Sequence, residues 1–119
     1  MNFNRPTFDF GDGKIITMRS NWEMNFAFYL EWMKKRKEIK DWEYEAERLF
    51  WLGGSYLPDF KVYKNDGTYY FAEVKGKTQG MNKFKRAKRE NPKIKFELWG
   101  KAEYNELKKK MGKILNFLK

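Results

Sequence analysis

Two carboxylates and a lysine, Asp59, Glu73 and Lys75, fall within one stretch, Ser55 to Gly76, that reads as a β-hairpin. Runs rich in Tyr, Phe and Val flank Asn65-Asp66-Gly67, the composition of two strands joined by a turn. Asn-Asp-Gly suits a three-residue loop, a type I turn closed by Gly67 in the left-handed conformation. Loop length decides what the hairpin displays. A two-residue Asp66-Gly67 loop pairs Asp59 with Val74 and sets it on the face opposite Glu73 and Lys75. The three-residue loop pairs Lys64 with Thr68, which brings Asp59 directly across from Glu73 with Lys75 on the same face. Opposite charges across strands are ordinary stabilisers of a solvated face. Like charges placed opposite cost energy unless a cation sits between them. The patch therefore reads as a metal-and-water site.

Two absences narrow the chemistry. The 119 residues contain no His and no Cys. Disulfides, zinc-thiolate sites, thiol nucleophiles, Ser-His-Asp hydrolysis and imidazole acid–base catalysis are thereby excluded. What remains is carboxylates, Lys, Tyr and an oxygen-loving metal, for which Mg²⁺ fits, with Mn²⁺ as a substitute. The 26 Lys and Arg against 16 Asp and Glu give a formal charge of +10, which favours a polyanionic partner, nucleic acid before acidic membrane. No apolar run approaches the length of a membrane span and no signal-peptide pattern opens the chain, so an intracellular, cytoplasmic protein without a membrane is expected.

The elements that must position the hairpin follow from pattern. Residues 1–18 read as an irregular arm, with a short strand near Lys14 to Met18. Ser20-Asn-Trp-Glu23 is a capping box in which Glu23 reaches back to the Ser20 amide. Trp22, Phe26, Tyr29 and Met33 recur at helical spacing, predicting a helix from Asn21 to Lys37. Glu23 has two readings from the residues: a cap alone, or a side chain projecting towards the acidic hairpin face. Trp42 to Trp51 reads as a first strand, with Trp42, Tyr44, Ala46 and Phe50 on one face and Glu43, Glu45 and Glu47 on the other. Those glutamates are expected away from the site, or neutralised by Arg48 and lysines. Gly53-Gly54 breaks the strand before the hairpin.

Past Gly76 the chain turns basic. Met81 to Glu90 predicts a short helix with Phe84 and Ala87 inward, ended by Pro92. Lys83, Lys85, Arg86, Lys88 and Arg89 fill the rest of its circumference, and Lys77 precedes it. A solvated helix explains these charges; a phosphate-gripping surface beside the carboxylates explains also why they concentrate here. Gln79 is either a plain loop residue or a contact to the scissile phosphate or to Lys75. Ile94, Phe96 and Leu98 alternate with Lys95, Glu97 and Trp99 in a fourth strand. A last helix, residues 100–119, carries Tyr104, Leu107, Met111, Ile114, Leu115 and Leu118 on one stripe, weakened by Gly112. That stripe either packs on the sheet or forms the seam of a homodimer.

The order is helix, strand, hairpin, helix, strand, helix. With Pro58-Asp59 leading the second strand and Glu73-Val74-Lys75 ending the third, the chain resembles the PD-(D/E)XK nuclease superfamily. Arg19-Ser20-Asn-Trp22-Glu23 and Ser55-Tyr-Leu-Pro-Asp-Phe60 further resemble small phage endonucleases of the endonuclease I or Holliday-junction resolvase type. The resemblance, over Ser20 to Trp99, implies an α/β restriction-endonuclease-like αβββαβ core. That core is a mixed central sheet flanked by helices, here with an extra C-terminal helix. It implies a single nuclease domain with residues 19–99 as catalytic core, acting in a phage-infected cell. It also implies that an acid on the first helix, here Glu23, joins the hairpin carboxylates at the metals.

The permitted chemistry agrees. Metal ions held by Asp59 and Glu73, with Glu23 and the Val74 carbonyl as further oxygen ligands, could activate a water, shield the phosphate and stabilise the leaving oxygen. Lys75 would orient the attacking water and offset the charge of the pentavalent state. Two adjacent carboxylates favour its ammonium form, so its expected role is electrostatic. The function expected is a Mg²⁺-dependent DNA endonuclease, with branched or junction DNA among the candidate substrates. The alternative is a non-catalytic basic nucleic-acid-binding module whose acidic patch is structural. A sheet that stacks RNA bases on Tyr69, Tyr70 and Phe71 lacks the glycine-aromatic signature such sheets carry.

Overall fold

A computed structural model describes residues 5–76 and 81–119. The arm folds into a small hairpin of β1 (Thr7–Asp9) and β2 (Ile15–Thr17). It rests on the body through Phe10, whose ring meets Trp42 edge-on at 5.1 Å.

Helix α1 spans Asn21–Lys35. Extended backbone at Ser20 lets its hydroxyl accept the Glu23 amide at 3.1 Å, satisfying one of the donors that a helix start leaves free. The helix buries Met24, Phe26, Ala27 and Leu30. It stops two residues short of the expected Lys37, because Lys37 takes a left-handed conformation (φ 61) that right-handed helix excludes.

The single strand expected from Trp42 to Trp51 is instead two. Strand β3 covers Asp41–Tyr44. Glu45, at φ 49, turns the chain out of it, while its amide still bonds the Asp59 carbonyl at 2.8 Å. After this break β4 (Leu49–Trp51) pairs only with β5 (Gly54–Tyr56). The alternation does not carry across the break, and Phe50, expected inward with Trp42, is 75% exposed. Ser55 and Tyr56, read as the start of the main hairpin, belong to this smaller one.

The main hairpin joins β6 (Phe60–Tyr63) to β7 (Tyr69–Val74). Its register, Phe60 opposite Ala72 through Tyr63 opposite Tyr69, is that of the three-residue loop. The Lys64 amide bonds the Thr68 carbonyl at 2.8 Å and Gly67 is left-handed at φ 89. Helix α2 (Met81–Glu90) then leads to β8 (Lys95–Trp99), parallel to β7. The four-stranded sheet runs β3-β6-β7-β8. A mixed α/β fold with a mixed sheet results.

Alternation along the strands gives the sheet two apolar faces. Trp42, Phe60, Val62, Ala72 and Val74 pack with Phe26 and Leu30 of α1. Phe71 and Phe96 pack with Phe84 and Ala87 of α2 and with Tyr56. In β8 the expected apolar face is only partly inward: Leu98 is exposed, and Trp99 packs on Phe26 at 4.9 Å.

Helix α3 spans Lys101–Met111, shorter than the expected 100–119. Tyr104 and Leu107 are buried, Gly112 caps the end, and Ile114 is 67% exposed, so the long stripe divides at the glycine. Residues beyond it turn back onto α1. The buried Asn25 amide donates to the Leu118 carbonyl at 2.9 Å and its oxygen accepts the Leu118 amide at 2.7 Å. Among the described residues no helix is long and apolar enough to cross a membrane.

Candidate active site

The hairpin register, carried one pair beyond Phe60 and Ala72, sets Asp59 across from Glu73. Asp59 is 5% exposed, and its Oδ2 accepts the Val74 amide at 3.0 Å. That bond fixes the carboxylate at the sheet end. Burial pushes its pKa up to about 8, with the charges of Glu73 and Glu23 adding to the effect and the Val74 amide opposing it. Glu73 is half-buried and also raised, by burial first, while the Tyr56 hydroxyl, the Asp59 backbone and the Lys75 charge pull the other way. Two carboxylates that resist ionising together face each other across one strand pair.

Glu23 comes to the same place from α1. It is 6% exposed. Its Oε1 accepts the Arg19 amide at 3.1 Å and lies 3.3 Å from the Ser20 hydroxyl. The reach-back thus ends on Arg19 and not on the expected Ser20 amide. Its Oε2 accepts the Tyr44 hydroxyl at 3.4 Å, and its charge is among the causes that raise the pKa of Asp59. Capping and site placement therefore use the two ends of one carboxylate.

Glu23, Asp59, Glu73, Val74 and Lys75 line one open cleft of about 490 Å³, with Arg19, Ser20, Leu57 and Gly76 completing its wall. Lys75 follows the sheet edge, its amide bonded to the Trp99 carbonyl at 3.0 Å. Gly76 admits the Trp22 ring so closely that a Cβ there would lie 3.1 Å from it. Trp22 in turn stacks on Tyr104 at 4.0 Å, so the last helix braces the cleft wall.

Two residues of the quoted motifs, Tyr56 and Arg19, take places at the site that their types and spacing do not announce. The Tyr56 hydroxyl donates to Glu73 Oε1, and burial with the neighbouring Glu73 charge raises the pKa of that hydroxyl, keeping it a proton donor. A Tyr in an apolar run reads as core, and its reach to Glu73 depends on β5 lying over β7, which no spacing announces. Arg19 lines the cleft and pairs with Glu45; its place beside the cap was the available signal. The other glutamates of the first strand are engaged elsewhere, Glu47 with Lys61 at 2.7 Å and Glu43 with the Tyr63 hydroxyl. Arg48 bonds Ser55 and not a glutamate.

Of the basic residues, Lys83, Lys85, Arg86 and Arg89 line a second hollow, of about 380 Å³, with Trp51 and Asn82. Lys88 is exposed but lies outside it. Lys77 and Gln79 fall outside the described residues. The two sites meet at Tyr56, which bonds Glu73 on one side and packs edge-on against Phe84 of α2 at 6.1 Å on the other.

The donor set is all oxygen, which suits a hard divalent cation over a soft one. Among the described residues no three acidic side chains are already gathered so as to hold an ion.

The chain is 33% identical over 75 residues to the head completion nuclease of Enterobacteria phage T4, a match covering 58% of this chain and 48% of that protein. The chain spans about half the length of this curated relative. No protein-family model matches it, and no solved structure matches it.

Proposed function

We propose that this chain is a Mg²⁺-dependent DNA endonuclease with a site of the PD-(D/E)XK kind. The observation that carries the reading is the cleft in which Glu23, Asp59 and Glu73 converge beside Lys75. Two of these carboxylates have raised pKa values, from burial first and from neighbouring carboxylates second, the situation a bound divalent cation relieves. The element order supports the superfamily, and the match to a phage nuclease supports nucleic acid as substrate in a phage-infected cell.

Asp59, Glu73 and Glu23, with the Val74 carbonyl, would hold a cation that activates water and shields the phosphate when bound. The chain's own groups do the rest. The Val74 amide fixes Asp59 and the Tyr56 hydroxyl fixes Glu73, so both carboxylates are oriented before substrate arrives. Lys75 carries the fixed positive charge of the cleft floor. It orients the attacking water and offsets charge developing on the phosphate oxygens. Arg19, at the rim, is placed to meet a neighbouring phosphate. The exposed cations of α2 hold the backbone outside the cleft.

The alternative, a non-catalytic DNA-binding module, draws on the lack of a preassembled ion-holding group among the described residues. One experiment separates the two. Supercoiled plasmid is incubated with the protein in Mg²⁺, Mn²⁺, Ca²⁺ or chelator, and binding is followed in parallel. Nicking is expected in Mg²⁺ and Mn²⁺ only, with binding but no nicking in Ca²⁺. Undiminished cleavage in chelator overturns the metal-dependent reading; unchanged binding with no cleavage in any ion leaves the module.

A further inference from the structure

The β4–β5 hairpin packs one side against α2 and ends in side chains that this packing does not use. Leu49, Trp51 and Tyr56 pack towards α2. Phe50 is 75% exposed, and Leu52, in the turn, is 97% exposed. A two-residue turn is normally filled by Gly, Asn or Asp. Here Gly53 supplies the left-handed residue (φ 92), and an apolar Leu occupies the other position. Single exposed apolar residues are ordinary on proteins. These two sit two residues apart on one protruding tip, and at its foot lies the hollow lined by Lys83, Lys85, Arg86 and Arg89. Arg86 also stands over the Trp51 ring at 5.7 Å. Among the described residues the acidic partner in this group is Glu90, bonded to Arg86 at 3.3 Å. Lys83, Lys85 and Arg89 make no ion pair there.

An apolar tip above a cluster of cations, three of them without an ion pair among the described residues, is complementary to a phosphate backbone with a base stack that can be opened. Proteins that insert Phe or Leu between base steps while basic residues hold the flanking phosphates use this division of labour. We propose that the β4–β5 tip is a base-contacting wedge. Phe50 and Leu52 enter an unstacked step, the α2 cations grip the adjoining phosphates, and the preferred substrate is duplex DNA interrupted by a gap or branch. The inference rests on the endonuclease reading and extends it to substrate class.

The chain also sets a distance. From Leu52 to Tyr56, whose hydroxyl touches Glu73, the chain passes through the turn at Gly53 and along β5 and so spans no more than about 13 Å, at the strand rise of about 3.3 Å per residue. A DNA strand advances about 3.4 Å per nucleotide. Cleavage is therefore expected roughly four nucleotides from the interrupted step.

The test compares a labelled synthetic duplex, intact or carrying a short gap flanked by a fluorescent adenine analogue. Binding in Ca²⁺ and cleavage position in Mg²⁺ are measured for the wild-type protein, the Phe50→Ser/Leu52→Ser variant and Leu52→Trp. Both positions are exposed, so thermal stability should not change. The wild type should favour the gapped duplex by on the order of tenfold, change the analogue's fluorescence, and cut at a fixed distance from the gap. The double variant should bind both duplexes alike and cut without fixed register; Leu52→Trp should restore or raise the preference. Equal preference in wild type and double variant, or none in the wild type, overturns the wedge. So does self-association that the double variant abolishes, which would make the tip a contact between copies. Cleavage of intact duplex with no gap effect removes the wedge alone. Failure of every protein to bind or cut any DNA removes the endonuclease reading with it.

Discussion

The β6–β7 and β4–β5 hairpins both close on a left-handed glycine, Gly67 and Gly53, yet they stand in opposite relations to water. The β6–β7 pair forms the middle of the sheet, with Phe60, Val62, Phe71 and Ala72 essentially inaccessible. Charges at its end are desolvated, and Asp59 and Glu73 are pushed towards their neutral forms as a result. The β4–β5 pair stands apart from the sheet as a two-stranded ribbon and shows Phe50 and Leu52 to solvent. Burial makes the first hairpin a place where a proton or a cation is strongly preferred. Exposure leaves the second with nothing to act on but a partner. On the proposed function, chemistry falls to the first hairpin and grip to the second with α2, the two joined through Tyr56.

The sharpest way to break that division is to damage each side separately. Glu73→Ala should lower single-turnover nicking on the order of 10³-fold. DNA affinity should hold or improve, because a negative charge near phosphate is removed. Lys83→Glu/Lys85→Glu should instead weaken binding and flatten its salt dependence by about one unit of slope per lost contact. Cleavage of saturated DNA should persist. Equal loss of binding in both variants would abolish the division.

A smaller effect should appear in the metal-free protein as pH changes. The folded pKa of Asp59 lies above that of an unfolded Asp, and Glu73 shifts the same way. Such groups stabilise the fold fully below the ordinary carboxylate range, and the contribution is lost as pH rises through the folded value near 8. Calorimetry in chelator should show Tm falling by on the order of 5 °C between weakly acidic and weakly alkaline buffer. Mg²⁺ should raise Tm more at the alkaline end. A Tm that climbs with pH in chelator would mean that the carboxylates are already matched by charge.

The least perturbing change to the fold is Glu23→Gln. An amide oxygen can still accept from Arg19 and Ser20, so stability should drop by no more than about 1 kcal/mol. Nicking at limiting Mg²⁺ should fall steeply and recover in part as Mg²⁺ is raised. Near-normal nicking at limiting Mg²⁺ would return Glu23 to the cap and leave Asp59, Glu73 and Lys75 as the site.

The central hairpin was legible because Asn65-Asp66-Gly67 fixes loop length, and loop length fixes parity for every residue beyond it. Helix α2 was legible, since Phe84 and Ala87 recur at helical spacing among cations. The first strand failed because alternation was extended through Glu45, whose left-handed backbone resets which side is inward. Beyond Gly112 the helical stripe continued in sequence while the chain turned, for the tail is held by Asn25 and not by its own apolar spacing. Tyr56 stayed hidden because hydrogen bonds between strands that do not pair leave no periodic trace.

That Asn25 clasp has a consequence in time. Asn25 sits two residues from Glu23 on α1, and its buried amide closes on a partner 93 positions later in the chain. While the chain is being made, the β6–β7 hairpin can pair as soon as its turn emerges, and α2 soon after. The amide of Asn25 has no protein partner until Tyr104 and then Leu118 arrive, and burying it earlier would cost about 1–3 kcal/mol. The helix that brings the third carboxylate is therefore the last piece to lock. If the proposed function holds, a nascent chain would carry the basic surface of α2 before the acidic cleft is complete, so synthesis itself would delay the arming of the site.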